Sequence, residues 1–131
     1  MNCKGRNLHI SKMDKRHSLG KEGENFACKL LLEKGYTILQ RNYRFRKAEI
    51  DIVAMDGQHI VFVEVKSRTT TWVENLAELV SKKQRKMLVL AADHYLISKK
   101  IDMEARFDII SLLKIGNALK VEHLKNAFYH F

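Results

Sequence analysis

The chain of 131 residues predicts an α/β fold, a mixed sheet covered by helices on its faces. Three observations predict it. Residues 18–34 carry apolar side chains at helical spacing, and residues 48–68 hold two Ile- and Val-rich runs around Asp56-Gly57. A long amphipathic stretch over residues 73–98 then separates that hairpin from a second pair of β-prone runs. No repeat, low-complexity tract or linker interrupts this order, so residues 18–131 read as one domain behind a basic arm, residues 1–17.

Composition narrows the partner classes. A content of 46% hydrophobic and 30% charged residues is that of a soluble globular chain. No apolar run approaches the ~20 residues that span a bilayer, and the amino terminus is too polar for a signal peptide. Two cysteines make a disulfide framework unexpected, so a reducing, cytoplasmic setting is the default. No zinc-type Cys/His spacing occurs. The net charge of +9 fits a polyanionic partner such as nucleic acid. It is concentrated in residues 41–47 (RNYRFRK), where Arg41, Arg44 and Arg46 alternate with Tyr43 and Phe45, and in residues 82–86 (KKQRK), with Lys82, Lys83 and Arg85. Basic groups meet phosphates and aromatics stack on bases; the same pattern also describes a solvated edge strand.

In order along the chain, Ser18 is an N-cap type residue opening a helix that runs to about Lys34 and stops at Gly35. Glu24 precedes Ala27, Cys28 and Leu31 by three, four and seven positions, so it extends the buried stripe. It is either an end-of-stripe residue or a group aimed across the core. Gly20 and Gly23 are poor helix formers, which makes sense if another group comes close or if the helix begins later. Tyr36–Gln40 and Tyr43–Lys47 form short strands.

In the central hairpin, strand alternation puts Glu49, Asp51 and Val53 on one face and Ile50, Ile52 and Ala54 on the other. Phe62, Glu64 and Lys66 share a face in the return strand. A two-residue loop at Asp56-Gly57 pairs Met55 with Gln58, sets Glu49 opposite Glu64 and sets Asp51 opposite Phe62. Three carboxylates and an ammonium then fall in one patch. Like charges so placed are unfavourable, and a divalent cation relieves the cost. Ion pairs of Glu49 and Glu64 with Lys66 relieve it too. A three-residue bulged loop instead separates Glu49 and Glu64 to opposite faces.

Thr69–Trp72 is a polar loop beside this face, either a strand extension or a flap. The long helix, Val73 to Ser98, buries Leu76, Leu79, Val80, Met87, Leu90, Ala91 and Ile97 or Ile101, with Lys83 and Gln84 as a polar break in that stripe. His94 reads as a satisfied core or edge residue. Arg106–Leu113 and Ala118–Leu124 form a terminal hairpin about Gly116-Asn117, with Asp108 structural and paired to Arg106.

The spacing Asp51, Glu64, Lys66 resembles the PD-(D/E)XK nuclease pattern, with Ile50 where that pattern is named for proline. Its setting, a hairpin after a helix bearing Glu24 and before a long helix bearing Gln84, is similar to archaeal Holliday-junction resolvases. The stretches GKEGENFA, LLEKGYTILQRNYR, EIDIVAMDG, IVFVEVKSR and RFDII resemble the YraN-like family of endonuclease-related bacterial proteins over residues 17–113. Two departures stand out: Ala48 where that family usually has Gly, and TTTWVENLAELV without its usual Gly and Pro.

The resemblance implies a restriction-endonuclease-like core and a DNA endonuclease, structure-directed rather than sequence-directed. It implies Asp51, Glu64 and the Val65 carbonyl as ligands of Mg²⁺ or Mn²⁺, with Glu24 joining through water or binding a second ion. Lys66 would orient or deprotonate water or stabilise developing charge. Glu49, Lys83 and Gln84 would be auxiliary, and Arg41, Arg44, Arg46, Lys82 and Arg85 would hold flanking phosphates. Resolvase-like relatives act as dimers, which makes a homodimer an expectation. The alternatives are a non-catalytic nucleic-acid adaptor on the same fold, which the joint retention of Asp51, Glu64 and Lys66 disfavours, and an RNA-acting nuclease, which would keep the same residues.

Overall fold

The computed structural model describes residues 15–69 and 75–128, with side chains from residue 20 onward. Residues 1–14 of the expected basic arm, and residues 70–74 where the loop is expected to meet the long helix, lie outside the described residues, whereas residues 15–17 of that arm belong to the first helix. The elements are α1 (Lys15–Glu33), β1 (Thr37–Phe45), β2 (Ala48–Asp56), β3 (His59–Arg68), a 3₁₀ turn (Leu76–Leu79), α2 (Lys82–Ser98), β4 (Glu104–Ile115) and β5 (Ala118–Phe128). They build one five-stranded sheet in the order β1-β2-β3-β4-β5. β3 and β4 pair in parallel across the α2 connection, and the other neighbours are antiparallel. The sheet is therefore mixed, as expected.

Each face carries its own core. On one side Leu88, Ala91, Ala92 and Tyr95 of α2 pack on Ile50, Val53, Phe62, Phe107 and Ile109. On the other, Ala27, Cys28 and Leu31 of α1 pack on Ile52, Ala54, Val61, Val63, Ile110 and Leu112. A central strand buried on both faces reads as a continuous apolar run, and that is the sequence IVFV at the start of β3.

Helix ends follow local chemistry. α1 starts at Lys15, so Ser18 lies inside it and is not its cap. Gly35 at φ +90° ends it, with the Tyr36 N–H donating to the Leu31 carbonyl at 2.9 Å. The single long helix expected over residues 73–98 is broken instead. Asn75 caps the 3₁₀ turn, and Ser81, in an extended conformation, caps α2 by accepting from the Gln84 N–H at 3.1 Å. The buried stripe shifts with this break. Leu88 and Tyr95 face the core, whereas Leu90 and Lys83 are exposed.

The hairpin register also differs from expectation. Asp56 pairs with His59 and Met55 with Ile60, so the turn residues are Gly57 and Gln58. Gly57 takes φ +61° while Gln58 keeps negative φ, the pattern of a turn whose first central residue is glycine. Asp56 stays in the strand, where its carboxylate meets Arg106 Nη1 at 2.8 Å. The shift of two positions takes Phe62 from Asp51 to Val53.

A polar cluster crosses the α1 side of the sheet. Arg106 donates two bonds of 2.9 Å to Asp108 and one of 2.7 Å to the Tyr36 hydroxyl, and His123 Nε2 stands 2.8 Å from Asp108. Burial alone would raise the Asp108 carboxyl, but the bonds from His123, Arg106 and the Asn126 N–H outweigh it and hold the group low. Asp108 is structural and paired with Arg106, as expected, and His123, Tyr36 and Asp56 extend the pairing into a network.

Candidate functional site

The site forms where the central hairpin comes apart. The β2–β3 ladder ends at Ile52↔Val63, and alternation in β2 slips there. Ile50 and Val53 pack on the α2 side, whereas Ile52 and Ala54 pack on the α1 side. The expected common face of Asp51 with Val53, and of Ile50 with Ile52, is thereby lost. Asp51 turns into the gap and its Oδ2 accepts the Val65 N–H at 2.7 Å, standing in for a missing ladder bond.

Asp51 and Glu64 are both buried at this opening and face each other, where the shifted register brings them level. Burial, then the adjacent Glu64 carboxylate, pushes the Asp51 carboxyl up to about 9, against a smaller opposing effect of the Val65 N–H. Glu64 Oε2 accepts from Gln84 Nε2 at 2.7 Å, and Lys66 Nζ reaches Gln84 Oε1 at 3.5 Å. Gln84 thus bridges acid and base from the first turn of α2. It is half-buried and Lys83 is exposed, so only one of the two polar residues expected on the inner stripe faces the site.

α1 contributes Glu24. A Cβ on Gly23 would overlap the Ser67 hydroxyl and stand 3.0 Å from Leu112 Cδ1, so glycine there lets α1 sit against β3. Gly20 meets no such neighbour. Glu24 Oε1 accepts from Asn42 Nδ2 at 2.9 Å and lies 3.6 Å from Arg41 Nη2. Burial raises its carboxyl, with Asn42 opposing. Glu49 is held by Asn42 at 3.1 Å and by Arg44 Nε at 2.8 Å. Carboxylate oxygens of Glu24, Glu49 and Asp51 lie within 4.8 Å of one another. Among the described residues neither Glu49 nor Glu64 pairs with Lys66, so the ion-pair alternative is not what the fold adopts. Beside the acids a cleft of about 460 Å³ opens, lined by Gly20, Glu24, Val65, Lys66, Ser67 and Arg68.

The basic residues divide. Arg44, Arg46 and Lys82 are exposed, Arg44 beside the site through Glu49. Arg41 is half-buried against Glu24. Arg85 turns inward, donating to the Ala77 carbonyl at 2.6 Å and the Val80 carbonyl at 3.0 Å, which fastens the 3₁₀ turn. Asn42 is the site residue that pattern reading missed. Asparagine is depleted in strands and tolerates positive φ, so its place in the β-prone run was the available signal. Of the aromatics in that run, Phe45 stacks on His94 at 4.1 Å and Tyr43 lies edge-on to Tyr95.

Fold and site together define an α/β protein whose mixed sheet carries a recessed, carboxylate-rich centre beside a cationic rim. The model of the family described as "Uncharacterised protein family UPF0102" matches residues 23–112. UPF0102 proteins of Christiangramia forsetii and Flavobacterium psychrophilum are each 42% identical to this chain over 119 residues, covering 91% of it and all of their own length. One from Chlorobium phaeobacteroides is 40% identical over 119 residues, covering 86% of this chain and 94% of its own. The chain belongs to the UPF0102 family, the membership its YraN-like motifs anticipate.

Proposed function

We infer that this protein is a divalent-cation-dependent endonuclease of the PD-(D/E)XK type, hydrolysing phosphodiester bonds of DNA by recognising nucleic-acid structure rather than base sequence. The observation that carries the reading is the opened hairpin end, where buried Asp51 and Glu64 meet and Gln84 ties Glu64 to Lys66. Burial beside Glu64 raises the Asp51 carboxyl to about 9, and a bound cation would let both carboxyls ionise. The donors are hard oxygens, which fit Mg²⁺ or Mn²⁺.

Asp51, Glu64 and the Val65 carbonyl would hold the ion, with Glu24 joining through water or holding a second one. Bound there, the ion supplies Lewis-acid stabilisation of phosphoryl charge and a more acidic water. Lys66 places an ammonium at the same edge, where it orients the attacking water or stabilises charge on the phosphoryl oxygens. Gln84 fixes the direction of that ammonium. Its orientation is determined by its partners, since Glu64 only accepts and Lys66 only donates. Arg44, Arg46 and Lys82 hold flanking phosphates, which positions a strand without reading bases. Among the described residues no element has the build of a major-groove reading module.

The test is cleavage of labelled single-stranded, duplex, flap, four-way-junction and RNA substrates with Mg²⁺, Mn²⁺ or EDTA. Cation-dependent cutting of a DNA substrate is expected, falling at least ~100-fold in Asp51→Ala and in Lys66→Ala. Binding without cutting under any cation would instead make the protein a nucleic-acid adaptor, and cutting confined to RNA would replace the substrate class.

A further inference from the structure

Asn42 occupies φ +53° within β1, a left-handed backbone that L-residues other than asparagine and aspartate seldom adopt. β1 pairs Arg41 with Ile52 and Tyr43 with Ile50, which puts Asn42 level with Asp51. From there its Nδ2 donates to Glu24 Oε1 at 2.9 Å and to Glu49 Oε1 at 3.1 Å. One amide nitrogen therefore spends both hydrogens on two carboxylates that arrive from separate elements, α1 and β2. Both acceptors are carboxylate oxygens, so only the nitrogen end of the amide can face them. Arg44 takes the other oxygen of Glu49 and so fixes that side chain from its far side.

Two carboxylates brought together repel. Each acid also meets an arginine, Glu24 at 3.6 Å from Arg41 Nη2 and Glu49 at 2.8 Å from Arg44 Nε, and the neutral Asn42 amide ties the two together without adding a further charge. The result is a pair of acids converging on Asp51. We propose that Asn42 is a positioning residue that holds Glu24 and Glu49 convergent on Asp51 and so preforms the outer half of the acidic centre for a divalent cation. The proposal rests on the cation-dependent reading above and adds to it the residue that organises the ligands.

The experiment is Mn²⁺ binding by calorimetry to the full chain, comparing wild type, Asn42→Gly, Glu24→Gln and the double variant. Glycine suits the positive φ, so Asn42→Gly removes the bridge and keeps the backbone. Mn²⁺ affinity should fall about tenfold in Asn42→Gly, the scale of losing a group that orients a ligand. In the Glu24→Gln background the same change should cost clearly less than in wild type, because only the hold on Glu49 is left to lose. Equal losses in both backgrounds, or unchanged affinity, would overturn the proposal. Wild type is also followed by the Asn42 side-chain amide signals in nuclear magnetic resonance during Mg²⁺ titration. Those signals should move with the binding midpoint, and their indifference to bound cation would overturn the proposal without any variant. Wild type that binds no Mn²⁺ or Mg²⁺ at millimolar levels contradicts the cation-dependent reading itself and takes the proposal with it.

Discussion

Asp51 stands between two opposing demands. Its burial beside Glu64 favours the protonated form, yet to serve as the proposed ligand it must be ionised. In the folded chain its pKa lies near 9, against about 3.9 for an unperturbed aspartate. The folded state therefore keeps a proton that the unfolded chain releases over that interval. Its contribution is fully present below about pH 4 and is lost as pH rises towards 9. Asp56 and Asp108 act in the opposite sense. Arg106 lowers the first, and the hydrogen bonds of the buried network lower the second, so their contribution is present above the ordinary aspartate range and lost in acid. In EDTA, Asp51→Asn should melt above wild type at pH 8.5 and gain little at pH 5. A difference independent of pH would show that Asp51 is not held as its surroundings require. Mg²⁺ should raise the melting temperature of wild type at pH 8.5 and leave Asp51→Asn nearly unmoved.

At the scale of elements, the site depends on two close fits. α1 reaches the acids because Gly23 leaves room for Ser67. Gly23→Ala should cost about 1–3 kcal/mol in chemical denaturation and push Glu24 away from Asn42. Ser67→Gly, by removing the opposing hydroxymethyl group, should restore most of that loss; failure to do so would place the strain elsewhere. α2 delivers Gln84 from the turn that Ser81 caps, and Ser81→Ala should cost about 1 kcal/mol. These elements also show what the sequence makes legible. Gly35 at a helix end, Gly116 in a two-residue turn and the apolar run of β3 each announce their structure through one local rule. The hairpin register does not, because Asp56-Gly57 and Gly57-Gln58 are both acceptable turns. Arg106, far along the chain, holds Asp56 in the strand and decides between them. The same holds for α2, whose apolar spacing runs unbroken through Val80 while Ser81 interrupts the helix.

At the scale of the whole molecule, carboxylates from α1, β2 and β3 gather at the open end of the hairpin, with Arg41 and Arg44 paired to Glu24 and Glu49 there. Arg44, Arg46 and Lys82 are exposed, within a chain of net charge +9. Strand alternation and motif spacing together point to Asp51, Glu64 and Lys66. What that pattern could not show was how they meet, because the opening of the β2–β3 ladder and the left-handed turn at Asn42 arise from packing between distant segments. The cationic surface predicts DNA binding that weakens with salt. Arg44→Gln, Arg46→Gln and Lys82→Gln combined should reduce the slope of log affinity against log salt by about 2–3, uniformly across sequences. A sequence-dependent loss in that variant would point to base reading instead. The most direct test of the central claim is a crystal soaked in Mn²⁺ and measured for anomalous scattering. An ion ligated by Asp51 and Glu64, with Lys66 directed to its edge by Gln84, is the predicted result. Full Mn²⁺ exposure with no anomalous peak between those two carboxylates would contradict it.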